Sequence, residues 1–120
     1  MNILNVGFFR LARNVSLKSD YKIRMGCVIV MHGKPISVGF NSQKSHPQKV
    51  GDNVCVHAEV MALISADTDV RGGTAYIYRE RKDKTLGLAR PCNNCYRRLL
   101  EAGIKKIVYS TYSGFAVERI

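Results

Sequence analysis

Two short motifs contain residue types that bind transition metals. The first is H-A-E at residues 57–59, and the second is P-C-N-N-C at residues 91–95. Imidazole nitrogen and cysteine sulfur are ligands that zinc prefers, and three of them leave one tetrahedral position open, as in catalytic rather than structural sites. The motifs therefore predict a zinc ion, Zn2+, bound by His57, Cys92 and Cys95 with room for a water molecule.

The carboxylate of the first motif suits a second role. Zinc lowers the pKa of a bound water to about 7, which makes that water a nucleophile near neutral pH. A carboxylate that lies close to the metal without binding it can accept the proton and deliver it to a reacting molecule. Glu59, two residues after His57 and on the same predicted helical turn, is therefore the predicted catalytic proton shuttle.

Helix N-termini are expected to position both motifs. Cysteines spaced as Cys92 and Cys95 on a first helical turn project to one side, and the exposed N–H groups of that turn favour the metal-binding thiolate. Pro91 is typical of a chain that enters a helix. The two helices can then bring their N-termini to one metal.

A closed structural zinc site is the alternative. The C-x-x-C motif also occurs in redox and structural sites, and Cys27, Cys55, His32 or His46 could supply a fourth ligand. However, Cys27 falls in an apolar strand-like run, and His32 falls in a predicted turn. A closed site also has no need for Glu59, so the motifs favour the catalytic interpretation.

The hydrophobic pattern predicts helices and strands in alternation. Apolar residues at helical spacing indicate an amphipathic helix over residues 2–18. The later elements are a hairpin of strands 26–31 and 35–40, a loop over 41–54, a buried helix over 56–66, a strand over 74–78, a basic loop over 79–90, a helix from Cys92 that stops at Gly103, a strand over 106–110 and a fifth strand over 115–120. This order predicts a three-layer α/β/α protein with a mixed sheet of four to five strands.

Length and composition predict a single domain over residues 1–120. Apolar residues make up 46% of the chain and charged residues 23%, as in ordinary globular proteins. Apolar runs are too short for a membrane span. Four cysteines without a secretory signal predict a reducing, cytoplasmic location. Residues 1–19 are basic and superficially resemble a transit peptide, but the fold needs a helix there.

The formal net charge of +10 bears on partners rather than on fold. It predicts attraction to phosphate, on a nucleotide or on a nucleic-acid backbone. A lysine-rich solvated surface accounts for the same charge equally well. Nucleic acid therefore stays open as a partner.

The two motifs, their spacing and the order of elements resemble the cytidine and deoxycytidylate deaminase superfamily over essentially the whole chain. The resemblance implies a cytidine-deaminase-like fold, zinc at His57, Cys92 and Cys95, and Glu59 as the proton shuttle. It implies conversion of an amino-bearing base to the keto base plus ammonia. It also implies a homo-oligomer, since related deaminases often complete their sites with neighbouring subunits.

The same resemblance implies three substrate contacts. Asn41, at the end of the predicted second strand, matches the family asparagine that hydrogen-bonds the sugar or base, although a turn-forming asparagine is the alternative. The amide of Ala58 and carbonyls near Arg90 would read the base edges. His46 and Cys55 lie where some deoxycytidylate deaminases carry extra zinc ligands, but two ligands are too few for a structural site.

Three functions are compatible with these features. The first is an enzyme acting on a free cytosine nucleoside or nucleotide of CMP or dCMP type, with the basic loop contacting a phosphate. The second is a cytosine or adenine deaminase of single-stranded DNA or RNA, held by the positive charge. The third is an inactive zinc-stabilised binding module. We favour the first because the loop over 41–54 contains no tyrosine for base stacking.

Overall fold

The computed structural model describes residues 7–19, 23–42 and 57–120. Within these ranges the chain forms three helices and five strands. In chain order they are α1 (Gly7–Ser16), β1 (Arg24–Met31), β2 (Lys34–Phe40), α2 (Ala58–Ser65), β3 (Thr74–Glu80), α3 (Asn93–Glu101), β4 (Lys106–Thr111) and β5 (Gly114–Arg119). A search of these same ranges finds no helix that is long and apolar enough to cross a membrane.

The strands form one sheet in the order β2, β1, β3, β4, β5. β3 and β4 are parallel because α3 connects them, whereas tight turns make β1 with β2 and β4 with β5 antiparallel. His32 and Gly33 both have positive φ in the first of these turns, a geometry that matches the twist of a two-residue hairpin. The predicted mixed sheet is confirmed, and it contains five strands.

Helices cover both faces of the sheet. On one face α1 packs through Phe9 into a buried cluster with Val28 and Val108. On the other face Ala62 of α2 and Leu99 of α3 pack into a second buried cluster. Successive residues of a strand point to opposite faces, so every central strand contributes to both clusters. The result is the predicted three-layer α/β/α architecture.

The burial of α2 is less complete than its apolar sequence indicates. Ala58, Glu59 and Ala62 are buried, whereas the other apolar side chains of this helix are only partly so. The reason is geometric, because α2 belongs to an outer layer and contacts the sheet along only one side. Because both the sheet-facing and the outer side of α2 are apolar, composition alone does not show which side is buried.

The third strand is longer than the sequence predicts. β3 continues through Arg79 and Glu80, which were expected in the basic loop, because they pair with the first two residues of β1. Glu80 is buried in spite of its charge. It accepts a hydrogen bond from the Tyr78 hydroxyl at 3.2 Å and lies 3.5 Å from the Arg13 guanidinium. These partners allow a strand where the charges suggest a loop.

Two predictions lie partly or wholly outside the described residues. The first helix was expected over 2–18, and its described part is Gly7–Ser16. Most of the expected loop over 41–54 falls outside as well, and so do His46 within that loop and Cys55 directly after it. A second zinc site at these two residues, which the ligand count disfavours, stays untested.

A glycine allows α2 to lie directly on β2. A Cβ atom at Gly39 would come within 3 Å of the Ala58 carbonyl and the Ala62 amide nitrogen. The Ser37 hydroxyl, also on β2, donates a hydrogen bond to the Ala62 carbonyl. This close contact sets the height of α2 above the sheet, and hence the position of Glu59 on its first turn.

We expect Gly39→Ala to displace α2 and to lower the free energy of unfolding by about 1–3 kcal/mol, the usual cost of overpacking. Zinc affinity should fall with it, because the ligand His57 directly precedes α2. Urea unfolding and a zinc titration measure the two effects. Gly7→Ala is the matched control, since a Cβ atom there meets nothing within 4 Å. Equal stability of the two variants would contradict the close packing.

Candidate metal centre and active site

His57 is positioned by the start of α2. It is the N-cap residue, with φ −71° and ψ 152°, and its carbonyl accepts a hydrogen bond from the Met61 amide at 3.0 Å. Its imidazole makes no capping hydrogen bond to the helix. The ring instead approaches, through Nδ1, the two cysteines at the start of α3.

Cys92 and Cys95 are positioned by the start of α3. Cys92 is the N-cap residue, and its Sγ accepts a hydrogen bond from the Cys95 amide at 3.5 Å. The Cys92 carbonyl accepts from the Tyr96 amide at 2.8 Å, which begins the helix. An N–H group directed at the sulfur stabilises a thiolate. Cys92 is exposed, whereas Cys95 is buried.

The three side chains meet at distances that suit zinc. His57 Nδ1 lies 3.1 Å from Cys95 Sγ and 3.7 Å from Cys92 Sγ, and all three ligand atoms lie within 4.8 Å of one another. Tetrahedral zinc with ordinary bond lengths places nitrogen and sulfur about 3.6 Å apart. The donor set and its spacing therefore fit a zinc ion. Within the described ranges, Cys27 and His32 are not part of this group.

The buried thiol of this group needs a cation to ionise. Burial raises the pKa of Cys95 well above its ordinary value, and the Glu59 carboxylate raises it further. Glu59 lies on the first turn of α2, two residues after His57. A bound divalent cation would reverse this preference of Cys95 for the neutral thiol, because the cation stabilises the thiolate directly.

Glu59 has the properties expected of a proton carrier. The residue is only 2% exposed, and its Oε1 atom has no hydrogen-bond partner among the described residues. Burial raises the pKa of Glu59 from an ordinary value near 4.5 to about 7. A buried polar atom without a partner costs free energy and often marks a functional position. This carboxyl group can therefore gain or lose a proton near neutral pH.

The raised pKa of Glu59 predicts a pH-dependent effect of Glu59→Gln in the zinc-free protein. Because the folded pKa of about 7 exceeds the unfolded value near 4.5, the stability associated with this group is complete below pH 4.5 and is lost as pH rises through 7. At pH 8 the variant should therefore be more stable than the parent, by up to about 3 kcal/mol.

Urea unfolding of chelator-treated protein at pH 5 and pH 8 measures this difference. The two proteins share every other titrating group, so the change in their stability difference between the two pH values reports Glu59 itself. A difference that does not change with pH would show that the Glu59 carboxyl group is not desolvated.

The predicted substrate contact Asn41 has a structural role. Its Oδ1 accepts a hydrogen bond from the Met25 amide at 2.9 Å, and its Nδ2 donates to the Ile23 carbonyl at 3.0 Å. These bonds tie the end of β2 to the start of β1. One N–H and one lone pair of the amide are not used by these two bonds. Its contact with substrate stays a prediction.

The other two predicted contacts lie on either side of the metal group. Ala58 is fully buried and begins α2 directly after His57. Arg90 lies two residues before Cys92, and its guanidinium binds Glu118 of β5 through two hydrogen bonds, at 2.8 Å and 3.2 Å. The Arg90 side chain is thus engaged, which leaves its backbone as the expected substrate contact.

A basic surface pocket of about 450 Å³ lies beside Ile23. Its lining also includes Arg79, Arg81, Lys82 and Asp83. Arg79 follows the core residue Ile77 by two positions in β3, so its side chain projects toward the sheet face that α2 and α3 cover. The pocket is therefore on the same side of the sheet as the metal group. We name it the basic pocket.

Comparison with known proteins agrees with this architecture and donor set. The family described as "Cytidine and deoxycytidylate deaminase zinc-binding region" matches residues 5–111. Deoxycytidylate deaminase of Saccharomyces cerevisiae is 30% identical over an alignment 120 residues long, gaps included, and the alignment covers 86% of this chain and 36% of that protein. A diaminohydroxyphosphoribosylamino-pyrimidine deaminase of Buchnera aphidicola is 34% identical over 92 residues, covering 72% of this chain and 50% of that protein. The chain thus spans between about a third and a half of these relatives.

A solved structure shares the fold. The dCMP deaminase of cyanophage S-TIM5 aligns with a TM-score of 0.67 over 88% of this chain and 81% of that one, at 21% identity. The family match extends across both metal-binding motifs and all three helices. By this match, the chain belongs to the family of the cytidine and deoxycytidylate deaminase zinc-binding region.

Proposed function

We propose that this protein is a zinc-dependent hydrolytic deaminase that converts cytosine of a free nucleotide, of CMP or dCMP type, to the keto base plus ammonia. The observation that carries the proposal is Glu59, a buried carboxyl group with an unpartnered oxygen on the first turn of α2, two residues after the grouped ligand His57. A purely structural zinc site has no use for such a group. The third function, an inactive binding module, is disfavoured for this reason.

Different residues are proposed to bind the metal and to transfer protons. His57, Cys92 and Cys95 would hold zinc, which when bound supplies a Lewis acid that activates water near neutral pH. Glu59 would accept a proton from the attacking water, deliver it to the ring nitrogen, and help protonate the departing amino group. A pKa near 7 suits both directions of transfer. Burial of Glu59 also keeps bulk water from competing for the proton.

The basic pocket supports a nucleotide rather than a nucleoside. Arg79 already donates a hydrogen bond to the Leu88 carbonyl at 3.2 Å, and Arg81 lies over the Tyr112 ring at 4.9 Å. The Arg81 guanidinium keeps N–H groups that can donate to an anion while it stacks on the ring. We propose that a substrate phosphate binds there. Deoxycytidylate deaminases among the relatives are consistent with this choice.

We expect Arg81→Ala to raise KM for dCMP by roughly 10–150-fold while leaving KM for deoxycytidine nearly unchanged, because one charge-assisted hydrogen bond contributes about 1.5–3 kcal/mol. Steady-state ammonia release with both substrates measures the split. Lys34→Ala, at the exposed start of β2, is the control for general loss of positive charge. An equal rise in KM for both substrates would contradict a phosphate contact at Arg81.

A deaminase of single-stranded nucleic acid is the second candidate. The net charge of +10 favours it, and Tyr112 is 62% exposed next to Arg81, where a base could stack. Turnover of a cytosine-bearing oligonucleotide that falls steeply with added salt would favour this candidate. Turnover of dCMP alone would exclude it.

Assembly and location are part of the same proposal. We propose a homo-oligomer, supported by the exposed apolar side chains Phe115 and Val117 on the edge strand β5. Light scattering of the purified protein would then give a multiple of 13.4 kDa.

We further propose a cytoplasmic location, because cysteine ligands must stay reduced to bind zinc.

A further inference from the structure

A polar cluster joins the last strand to the segment that carries Cys92. Arg90 Nε donates to Glu118 Oε2 at 2.8 Å, and Arg90 Nη2 donates to Glu118 Oε1 at 3.2 Å. The Tyr109 hydroxyl donates to the same Oε2 atom at 2.5 Å. The Arg90 guanidinium also lies 5.4 Å from the centre of the Tyr96 ring. We name these four residues the Arg90 clamp.

The clamp connects elements that are distant in sequence. Glu118 pairs with Ile107 in the β4–β5 ladder, which puts its side chain on the same sheet face as Tyr109. Tyr96 lies on the first turn of α3, one residue after Cys95. The guanidinium of Arg90 is therefore held between β5 and α3. In this way β5, which supplies none of the three grouped ligands, is linked to Arg90, two positions before Cys92.

Cys92 is the ligand that most needs such support. Cys95 is buried within α3, whereas Cys92 is exposed. Upstream, the chain is fixed to β4 by the bond from the Ala89 amide to the Ser110 carbonyl at 2.9 Å. Downstream it is fixed by the helical bond from Tyr96 to Cys92. Arg90 lies between these anchors, so its side chain can fix the path of the segment that presents Cys92.

The geometry of the pair matters more than its charge. Arg90 is 44% exposed and Glu118 is 31% exposed, and a surface ion pair of that kind contributes little to overall stability. The Arg90 guanidinium nevertheless makes two hydrogen bonds to Glu118 and lies against the Tyr96 ring, and Tyr109 donates a further hydrogen bond to the same carboxylate. Together these contacts fix the direction of the Arg90 side chain as well as its distance from Glu118. The hydrogen bonds from Arg90 and Tyr109 also lower the pKa of Glu118 below its ordinary value. The carboxylate is thus ionised throughout the neutral range.

We propose that Glu118 is a positioning residue for the zinc ligand Cys92, acting through Arg90. This inference rests on the proposed zinc site but not on deamination, because zinc binding can be measured without turnover. Outer partners of metal ligands typically change metal affinity about 10–100-fold when removed. Since Glu118 acts through one further residue, we expect the lower end of that range.

The test is zinc affinity of the full chain by chelator competition, together with the visible spectrum of the cobalt-substituted protein. We expect Glu118→Gln to weaken zinc binding about tenfold and to shift the cobalt bands that report ligand geometry. Asp69→Asn is the matched control, since Asp69 and Arg71 form an ion pair at 3.8 Å that is strongly exposed. The control should leave both readouts unchanged.

Rescue separates positioning from a general effect on folding. The double variant Arg90→Glu with Glu118→Arg restores an ion pair in the same place and should recover most of the lost affinity. If Glu118→Gln misfolds, Arg90→Lys keeps the charge, removes the pair of hydrogen bonds to Glu118 and should give the same cobalt shift. Unchanged affinity and spectrum in a folded Glu118→Gln protein would overturn the proposal. A parent protein that binds zinc but does not deaminate would instead contradict the proposed function and leave this inference standing.

Discussion

Replacing Glu59 with glutamine should reduce the deamination rate about 10²–10⁴-fold, the range that a positioned acid–base group contributes. Glutamine keeps the size of the side chain and loses only the ability to carry a proton. Because Glu59 is not one of the three grouped ligands, zinc should remain bound at one ion per chain. Ammonia release and zinc content of the same preparation measure the two quantities.

The zinc content decides how a loss of activity at Glu59 is interpreted. An inactive variant with zinc bound supports the proton shuttle. An inactive variant without zinc would mean that the carboxylate is a metal ligand, and that the assignment of roles is wrong. A variant with full activity would remove Glu59 from the reaction altogether.

Replacing Cys95 with serine should abolish zinc binding at micromolar metal and reduce activity to background. We expect a loss of affinity of more than about 100-fold, which exceeds the effect of removing an outer partner. Serine replaces a soft thiolate by a poor ligand and leaves only His57 and Cys92. Zinc content after dialysis against a weak chelator gives the result directly.

Cys27→Ser is the matched control for loss of a buried thiol. Cys27 is fully buried on β1 and does not belong to the metal group. This variant should lose some stability, because a hydroxyl replaces a sulfur in the apolar core, yet keep its zinc. Zinc loss in the control equal to that of Cys95→Ser would show that the effect comes from unfolding rather than from the ligand.

The grouping of the metal residues was predictable because it depends on local signals. The H-A-E and P-C-N-N-C motifs each define the first turn of a helix, and the element order brings two such turns to one end of the sheet. The structure places His57, Cys92 and Cys95 together as predicted. The roles of these residues and of Glu59 in a reaction stay predictions that the variants above test.

Contacts that depend on strand register were not predictable. Glu118 reaches Arg90 only because β5 pairs with β4 at the observed register, and no local pattern around Glu118 indicates that partner. The burial of Glu80 likewise depends on Arg13 from α1. In the same way, the sequence shows an asparagine at the end of β2, but the hydrogen bonds of Asn41 to β1 follow from the hairpin.

The most direct measurement of the central claim is ammonia release by purified, zinc-loaded protein from dCMP and CMP. Cytidine, deoxycytidine and a cytosine-bearing single-stranded oligonucleotide are assayed in parallel, with Glu59→Gln as the control. The account predicts turnover of a cytosine mononucleotide, weaker turnover of the nucleosides, and a rate in the variant that is reduced about 10²–10⁴-fold. Zinc-loaded protein that releases no ammonia from any of these five substrates would contradict it.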